Sequence, residues 1–366
     1  MAQLLAIAAV VVAVSSCAPR ASAALSATPD VVSSTAAPLP PAPLGPARSI
    51  ILFIGDGMGY GHSQAAQWFS VGQEGQLQMN TLPVQGSLHT GSRSSGPTDS
   101  AAAATALAAG VKTFNGVLGR DAAGQDVTTI LELAQLRGMA VGLVSTTQAA
   151  HATPAGFAAH VSSRNMKMDI AEQIAAADIN VILAGGEDDF LPQDEDGCYI
   201  GKGKRYDDRD LVTEMVDAGY TYICKPTDLA GVPLTTTHLV GLFGKEGMAR
   251  PHAPTLAQMT DTAIQLLSQD HDGFFLMVEG GQIDWAAHDN EAADVIADIL
   301  ALDEAVSVGL SFARNAAVPP LIIVTADHET GGMSADLQPT GESREDGAFE
   351  MPDGTPFWVN WTCRPP

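Results

Sequence analysis

The chain has 366 residues of which 46% are hydrophobic, enough for one large α/β domain or two ordinary ones with a sizeable core. Its 42 acidic against 18 basic residues give a formal net charge of −24, which repels nucleic acids and anionic lipid surfaces and excludes nucleic acid as an expected partner. The same acidic excess suits a site for hard or borderline cations, but a soluble acidic surface is the preferred explanation.

Residues 4–14 form an apolar stretch that runs into Ser15, Ser16, Cys17 and then Ala21-Ser22-Ala23, so residues 1–24 read as a secretory signal peptide. The apolar run is too short to span a bilayer as a stable helix. Two processing routes fit: lipidation at Cys17 after a lipoprotein-like box, giving a lipid anchor, or ordinary cleavage after Ala23. Neither Lys nor Arg precedes Leu4. Both routes imply a secreted, periplasmic or cell-envelope protein. Residues 25–47, rich in Ala, Pro, Ser and Thr, read as a flexible linker, leaving residues 48–366 as the folded domain. Cys198 and Cys224 either pair in an oxidising compartment or remain thiols.

Short β-branched runs at residues 49–54, 140–145, 180–184, 274–278 and 321–325 predict buried strands of a mainly parallel sheet. Helical patterns fall between them at 100–109, 127–136, 168–177, 255–268 and 291–313. The alternation predicts an α/β layered domain. The polar segment 188–209 reads as a surface excursion. In open parallel sheets ligands bind beyond the carboxyl ends of strands, so the polar residues that follow each run are the candidates for chemistry.

The first run ends in Gly55-Asp56-Gly57-Met58-Gly59, which fits a capped Gly-rich turn as well as a metal ligand. Pro97-Thr98-Asp99-Ser100 opens an Ala-rich helix that stops at Gly110, placing Ser100 in the first turn near backbone N–H groups and the positive end of the helix dipole. Capping alone also explains these residues. After the second strand come His151-Ala152-Thr153-Pro154, read as an extended segment able to reach one cation, and Arg164, whose planar fork suits a phosphate. The strand at 274–278 leads to Glu279, Asp284 and His288. The last two are four apart and share one helical face, where they can grip one metal or form a plain salt bridge. The last strand ends in Asp327-His328, an adjacent carboxylate and imidazole suited to zinc.

Taken in order, Asp56, Asp99-Ser100-Ala101, His151-Ala152-Thr153, Arg164, Glu279, Asp284, His288 and Asp327-His328 resemble the alkaline phosphatase family over about residues 49–361. The resemblance implies a three-layer α/β/α sandwich and hydrolysis of small phosphate monoesters through a phosphoserine on Ser100, with Arg164 clamping the phosphoryl oxygens. It also implies two zinc ions and one magnesium. Asp56, Asp327 and His328 would hold one zinc, Asp284 and His288 the other, and Asp56, Thr153 and Glu279 the magnesium, with His151 close by. A homodimer is a further implication. The family pattern continues past Trp361 to a His-Thr-Gly motif, whereas this sequence runs to Cys363-Arg364-Pro365-Pro366 with no histidine after His328. The expectation is therefore a fold incomplete at its C-terminus, a weakened second zinc site and reduced turnover, with a metal- or phosphate-binding remnant as the alternative. A related phosphodiesterase or sulfatase is the other competitor, separated by comparing a monoester with a diester.

Overall fold

The computed structural model describes residues 48–199, 201–339 and 348–363. The signal peptide, the linker and Cys17 lie outside the described residues. In chain order the elements are β1 (Ile50–Gly55), α1 (Tyr60–Val71), α2 (Ser100–Ala109), α3 (Ile130–Gln135), β2 (Ala140–Gln148), α4 (Ala152–Ala158), α5 (Lys167–Ala176) and β3 (Val181–Gly185). They continue with α6 (Leu211–Asp217), β4 (Thr221–Ile223), β5 (Leu239–Leu242), α7 (Leu256–Leu267), β6 (Phe274–Gly280), α8 (Gln282–His288), α9 (Ala292–Asn315) and β7 (Leu321–Ala326). Three short strands, β8 (Met333–Asp336), β9 (Ala348–Glu350) and β10 (Pro356–Trp361), close the described chain.

Seven strands form one parallel sheet in the order β4-β5-β3-β2-β6-β1-β7. Side chains alternate across it, so Ile51 and Phe53 of β1 join a core with α1, α7, α8 and α9, while Leu52 and Ile54 join a second core with α2 to α6. Two apolar faces buried by two helical layers make this the three-layer α/β/α arrangement expected of continuous apolar strands.

Local chemistry sets the helix ends. Asp99 accepts the Ala102 N–H at 3.0 Å to start α2, and Gly110 stops it at φ +70°. Thr129 with Glu132 and Thr255 with Gln258 form capping boxes at α3 and α7. The Ala-rich α2 is itself buried against α4, close enough that a Cβ on Gly156 would meet the Ala104 Cβ at 2.6 Å.

The five predicted strands and five predicted helices are all present, most with shifted ends, but β7, predicted as a buried strand, is half exposed because it lies at the edge of the seven-stranded sheet. Short strands β4 and β5 and helices α1, α4 and α6 have no counterpart in the sequence reading, whereas α8 is the helix on which Asp284 and His288 were read to share a face. Neither does the antiparallel sheet β8-β10-β9, which packs Phe357 edge-on to Trp68 of α1. The predicted surface excursion is only partly so: Glu187 to Pro192 and Arg205 are buried, while much of the intervening stretch is exposed. Cys198 and Cys224 pair as a disulfide with Cα atoms 6.3 Å apart.

Candidate functional site

The sheet order brings β2, β6, β1 and β7 side by side at the centre and edge of the sheet, and their carboxyl ends deliver the polar residues to one place. Glu279 of β6 lies in register between Ser145 of β2 and Ile54 of β1, and Gly55 faces Ala326 of β7. Asp56, Glu279 and Asp327 thus converge although they are far apart in sequence, and all three are buried. Ser100, the first residue of α2, approaches them from the helical layer.

The Ser100 hydroxyl donates to Asp56 Oδ1 at 3.3 Å and lies 3.2 Å from His328 Nε2. His328 Nε2 is 3.5 Å from Asp56 Oδ1 and 3.4 Å from Asp327 Oδ2. Asp327 Oδ1 accepts the Gly57 N–H at 3.0 Å and the His328 N–H at 2.8 Å, while Asp327 Oδ2 is buried without a hydrogen-bond partner. Asp56, Asp327 and His328 place ligand atoms within 4.8 Å of one another, close enough for one metal ion.

Asp56, His151 and Glu279 form a second such group. Glu279 Oε2 accepts hydrogen bonds from Ser145 and, at 3.3 Å, from Thr147. Glu279 Oε1, Asp56 Oδ2, His151 Nδ1 and Thr153 Oγ1 are all buried without hydrogen-bond partners. Burial, reinforced by Asp327, Asp284 and Glu279, drives the Asp56 carboxyl well above its usual range. Burial likewise lifts Glu279 to about 7, against the pull of the nearby Ser145, Thr153 and Thr147 hydroxyls. His151 goes the other way: burial, with Arg164, Lys167 and His328 adding to it, holds the imidazole well below its usual pKa and hence neutral. Clustered carboxylates that resist ionisation, neutral imidazole and open oxygen atoms are the donor set a divalent cation satisfies, so the residues fit the metal the fold implies. The third metal-like grouping, Glu187 with Cys198 and Cys224, is the disulfide and offers no thiolate.

Asp284 and His288 sit on α8 with Asp284 Oδ1 and His288 Nε2 3.5 Å apart. The Asp284 side chain is 10% exposed and that of His288 66%, so this pair faces the open side. Thr330 bridges the two halves of the site, donating 2.5 Å to Asp284 Oδ1 and lying 3.3 Å from His328 Nδ1. Arg164 reaches Asp99 Oδ2 at 3.3 Å and His151 Nε2 at 3.2 Å, next to Ser100.

Every residue singled out in the sequence therefore belongs to one neighbourhood. One local expectation fails: His151-Ala152-Thr153 is not extended, since His151 caps α4 and Thr153 lies in its first turn, where Pro154 leaves no helical hydrogen bond unmade. Four participants were missed. Ser145 and Thr147 belong to the polar end of β2, Ser145-Thr146-Thr147-Gln148, where no period separates the hydroxyls that face the site from those that do not. Thr330 lies two residues past His328 and carried no spacing signal. His62, in α1, is buried, accepts the Gly59 N–H at 3.1 Å and is lowered by burial to about 4, so it too stays neutral.

The family model described as alkaline phosphatase matches residues 47–347. The chain is 35% identical over 303 residues to alkaline phosphatase 3 of Bacillus subtilis, an alignment that covers 78% of this chain and 62% of that protein. Its fold is similar to the alkaline phosphatase of the Antarctic bacterium TAB5, with a TM-score of 0.74 and 30% identity over 86% of this chain and 87% of that one. A histidine-to-glutamate variant of the TAB5 enzyme, with magnesium bound in its M3 site, has a TM-score of 0.71 at the same identity and the same coverage of both chains.

Proposed function

The chain belongs to the alkaline phosphatase family, and on that premise we propose that it hydrolyses phosphate monoesters through a phosphoserine formed on Ser100. The observation that carries this reading is the placement of the Ser100 hydroxyl between Asp56 and His328, beside buried carboxylate oxygens that have no partner in the protein. Asp56, Asp327 and His328 would hold one zinc, Asp284 and His288 a second, and Asp56, Thr153 and Glu279, with His151, a magnesium. When bound, these cations supply Lewis-acid chemistry, neutralising phosphate charge and lowering the pKa of the serine hydroxyl and of a water.

The protein's own part is placement. Ser100 Oγ forms the bond to phosphorus as the ester P–O bond breaks, and water then cleaves the phosphoserine to release inorganic phosphate. The Ser100 and Ala101 N–H groups at the start of α2, left over once Asp99 takes that of Ala102, and the Arg164 fork would face the transferred oxygens, and Asp99 orients that fork while it also caps α2. The Cys198–Cys224 disulfide fits an oxidising compartment and supports a secreted or envelope location.

The test is hydrolysis of p-nitrophenyl phosphate at alkaline pH by the chain supplied with zinc and magnesium, beside bis-p-nitrophenyl phosphate. The parent chain is expected to prefer the monoester, and Ser100→Ala to lose at least about 10³-fold of the rate. A Ser100→Ala variant as active as its parent would refute the serine route, and a preference for the diester would replace the monoesterase reading with that of a phosphodiesterase.

A further inference from the structure

A second cationic side chain backs the phosphate end of the site. Lys167 opens α5 three residues after Arg164, and its Nζ donates to the Ala150 carbonyl at 2.7 Å. Ala150 is buried and directly precedes His151, the cap of α4. The bond fastens the start of α5 to the start of α4, with the Arg164 segment enclosed between the two ends. Arg164 in turn bonds the His151 ring at 3.2 Å. Lys167, the His151 turn and Arg164 are thus one mechanical unit.

Tethering a carbonyl needs only a neutral donor, whereas an ammonium withdrawn from water is costly unless its charge is used. Burial pushes Lys167 down to about 8, opposed mainly by Asp189. Asp189 is buried, and its Oδ2 has no hydrogen-bond partner. The same ammonium is felt at Arg164, Glu279 and His151.

We propose that Lys167 is a positioning and specificity residue for dianionic phosphate: it fixes the His151 turn through Ala150 and places a second positive charge behind Arg164. This rests on the phosphatase reading above. Its consequence is selective, because a charge set back from the pocket attracts a monoester dianion about twice as strongly as a diester monoanion.

The experiment is equilibrium dialysis of inorganic phosphate at pH 7.5 against the zinc- and magnesium-loaded chain, with KM and kcat for a monoester and a diester alongside. Lys167→Met is expected to weaken phosphate binding about tenfold and to raise the monoester KM similarly, with a smaller change for the diester and kcat within about threefold. Lys167→Arg restores most of the binding. Undiminished phosphate binding by a folded Lys167→Met, or equal loss for both ester classes, would overturn the proposal and leave the phosphatase reading standing. Should Lys167→Met fail to fold, Asp189→Asn serves instead: without the carboxylate that opposes its desolvation Lys167 sheds its proton earlier, so phosphate binding by the variant relative to its parent falls between pH 6.5 and pH 8, and a ratio that stays level across that range refutes the role of the Lys167 charge. A parent chain that binds no phosphate overturns the reading of the pocket and this proposal with it.

Discussion

Glu279→Gln separates what the buried carboxylates do for stability from what they do for metal binding. In the metal-free protein Glu279 is raised from its ordinary 4.5 to about 7, mainly by burial. A carboxyl whose folded pKa lies above its unfolded one contributes stability below about pH 4.5, and that contribution is lost as pH rises through about 7. The gap of about 2.5 pH units amounts to about 3 kcal/mol lost by pH 8, at ~1.4 kcal/mol per unit. Gln keeps the shape and still accepts from Ser145 and Thr147, but it has no charge to desolvate. Urea unfolding in EDTA should therefore find Glu279→Gln more stable than the parent by about 3 kcal/mol at pH 8, shrinking toward zero at pH 5. With Glu279 holding magnesium as proposed, excess magnesium should invert the order, since the parent would gain binding energy that the variant has lost. A variant less stable than its parent in EDTA at pH 8, or a difference that does not grow between pH 5 and 8, would refute the argument.

The opposite sign holds for His160, which bonds the Gly119 carbonyl at 2.7 Å and Glu132 at 2.9 Å. Burial works against its charge, yet these two partners raise its pKa above 6.5, so the stability they add is complete below that pH and fades as pH rises through the raised value. His160→Gln should accordingly cost more thermal stability at pH 6 than at pH 9, and an equal cost at both would show that the imidazole is neutral. Thr330→Val removes the hydroxyl between Asp284 and His328 and leaves Asp284 Oδ1 without it. Zinc affinity at the Asp284 and His288 pair, read by calorimetric titration, should fall about tenfold, with the Asp56, Asp327 and His328 group less affected. Hydrogen exchange should be faster in β7 than in β6: among the described residues β7 pairs with β1 alone and exposes Leu321 at 48% and Ile323 at 40%, whereas every residue of β6 is buried. Zinc should slow the β7 amides nearest Asp327, and equal rates in the two strands would refute the reading of β7 as the weakly protected edge.

Much of this was legible in the sequence, for a physical reason. Strands buried on both faces read as unbroken apolar runs, so β1, β2, β3 and β6 stood out; β7 reads the same way although it is half exposed, and the polar ends of all five marked the site. The short strands β4 and β5 escaped because three or four residues cannot establish a period. Helix α1 was hidden by its mixture of Gly, His, Ser and Gln, and its position is fixed by tertiary contacts, such as Trp68 against Phe357, more than by local preference. His151 was misplaced because Pro154 suggested an extended segment, although proline is well tolerated in the first turn of a helix. Ser145, Thr147 and Thr330 act on other side chains, and nothing in a sequence records which distant carboxylate a hydroxyl will meet.

What those unannounced groups do explains how the site can be assembled before any cation arrives. Each central carboxylate has one oxygen engaged by the protein and the other left open: Asp327 Oδ1 by the Gly57 and His328 N–H groups, Glu279 Oε2 by Ser145 and Thr147, and Asp56 Oδ1 by Ser100. The engaged oxygen fixes the orientation of the carboxylate, and the open one points into the cluster. Gly57 is part of this device. It sits at φ +69°, where a Cβ would lie 2.9 Å from Asp284 Oδ1 and 2.8 Å from Thr330 Oγ1, so a side chain there would displace a ligand in order to provide the same N–H. β1 and β6 are packed on both faces and hold their ends in place, so burial first, and the neighbouring carboxylates after it, appear as raised pKa values of Asp56 and Glu279 in place of movement. A metal-free protein built this way is less stable near neutral pH than its core would allow, and it is prepared to release that strain to the cation its open oxygens await.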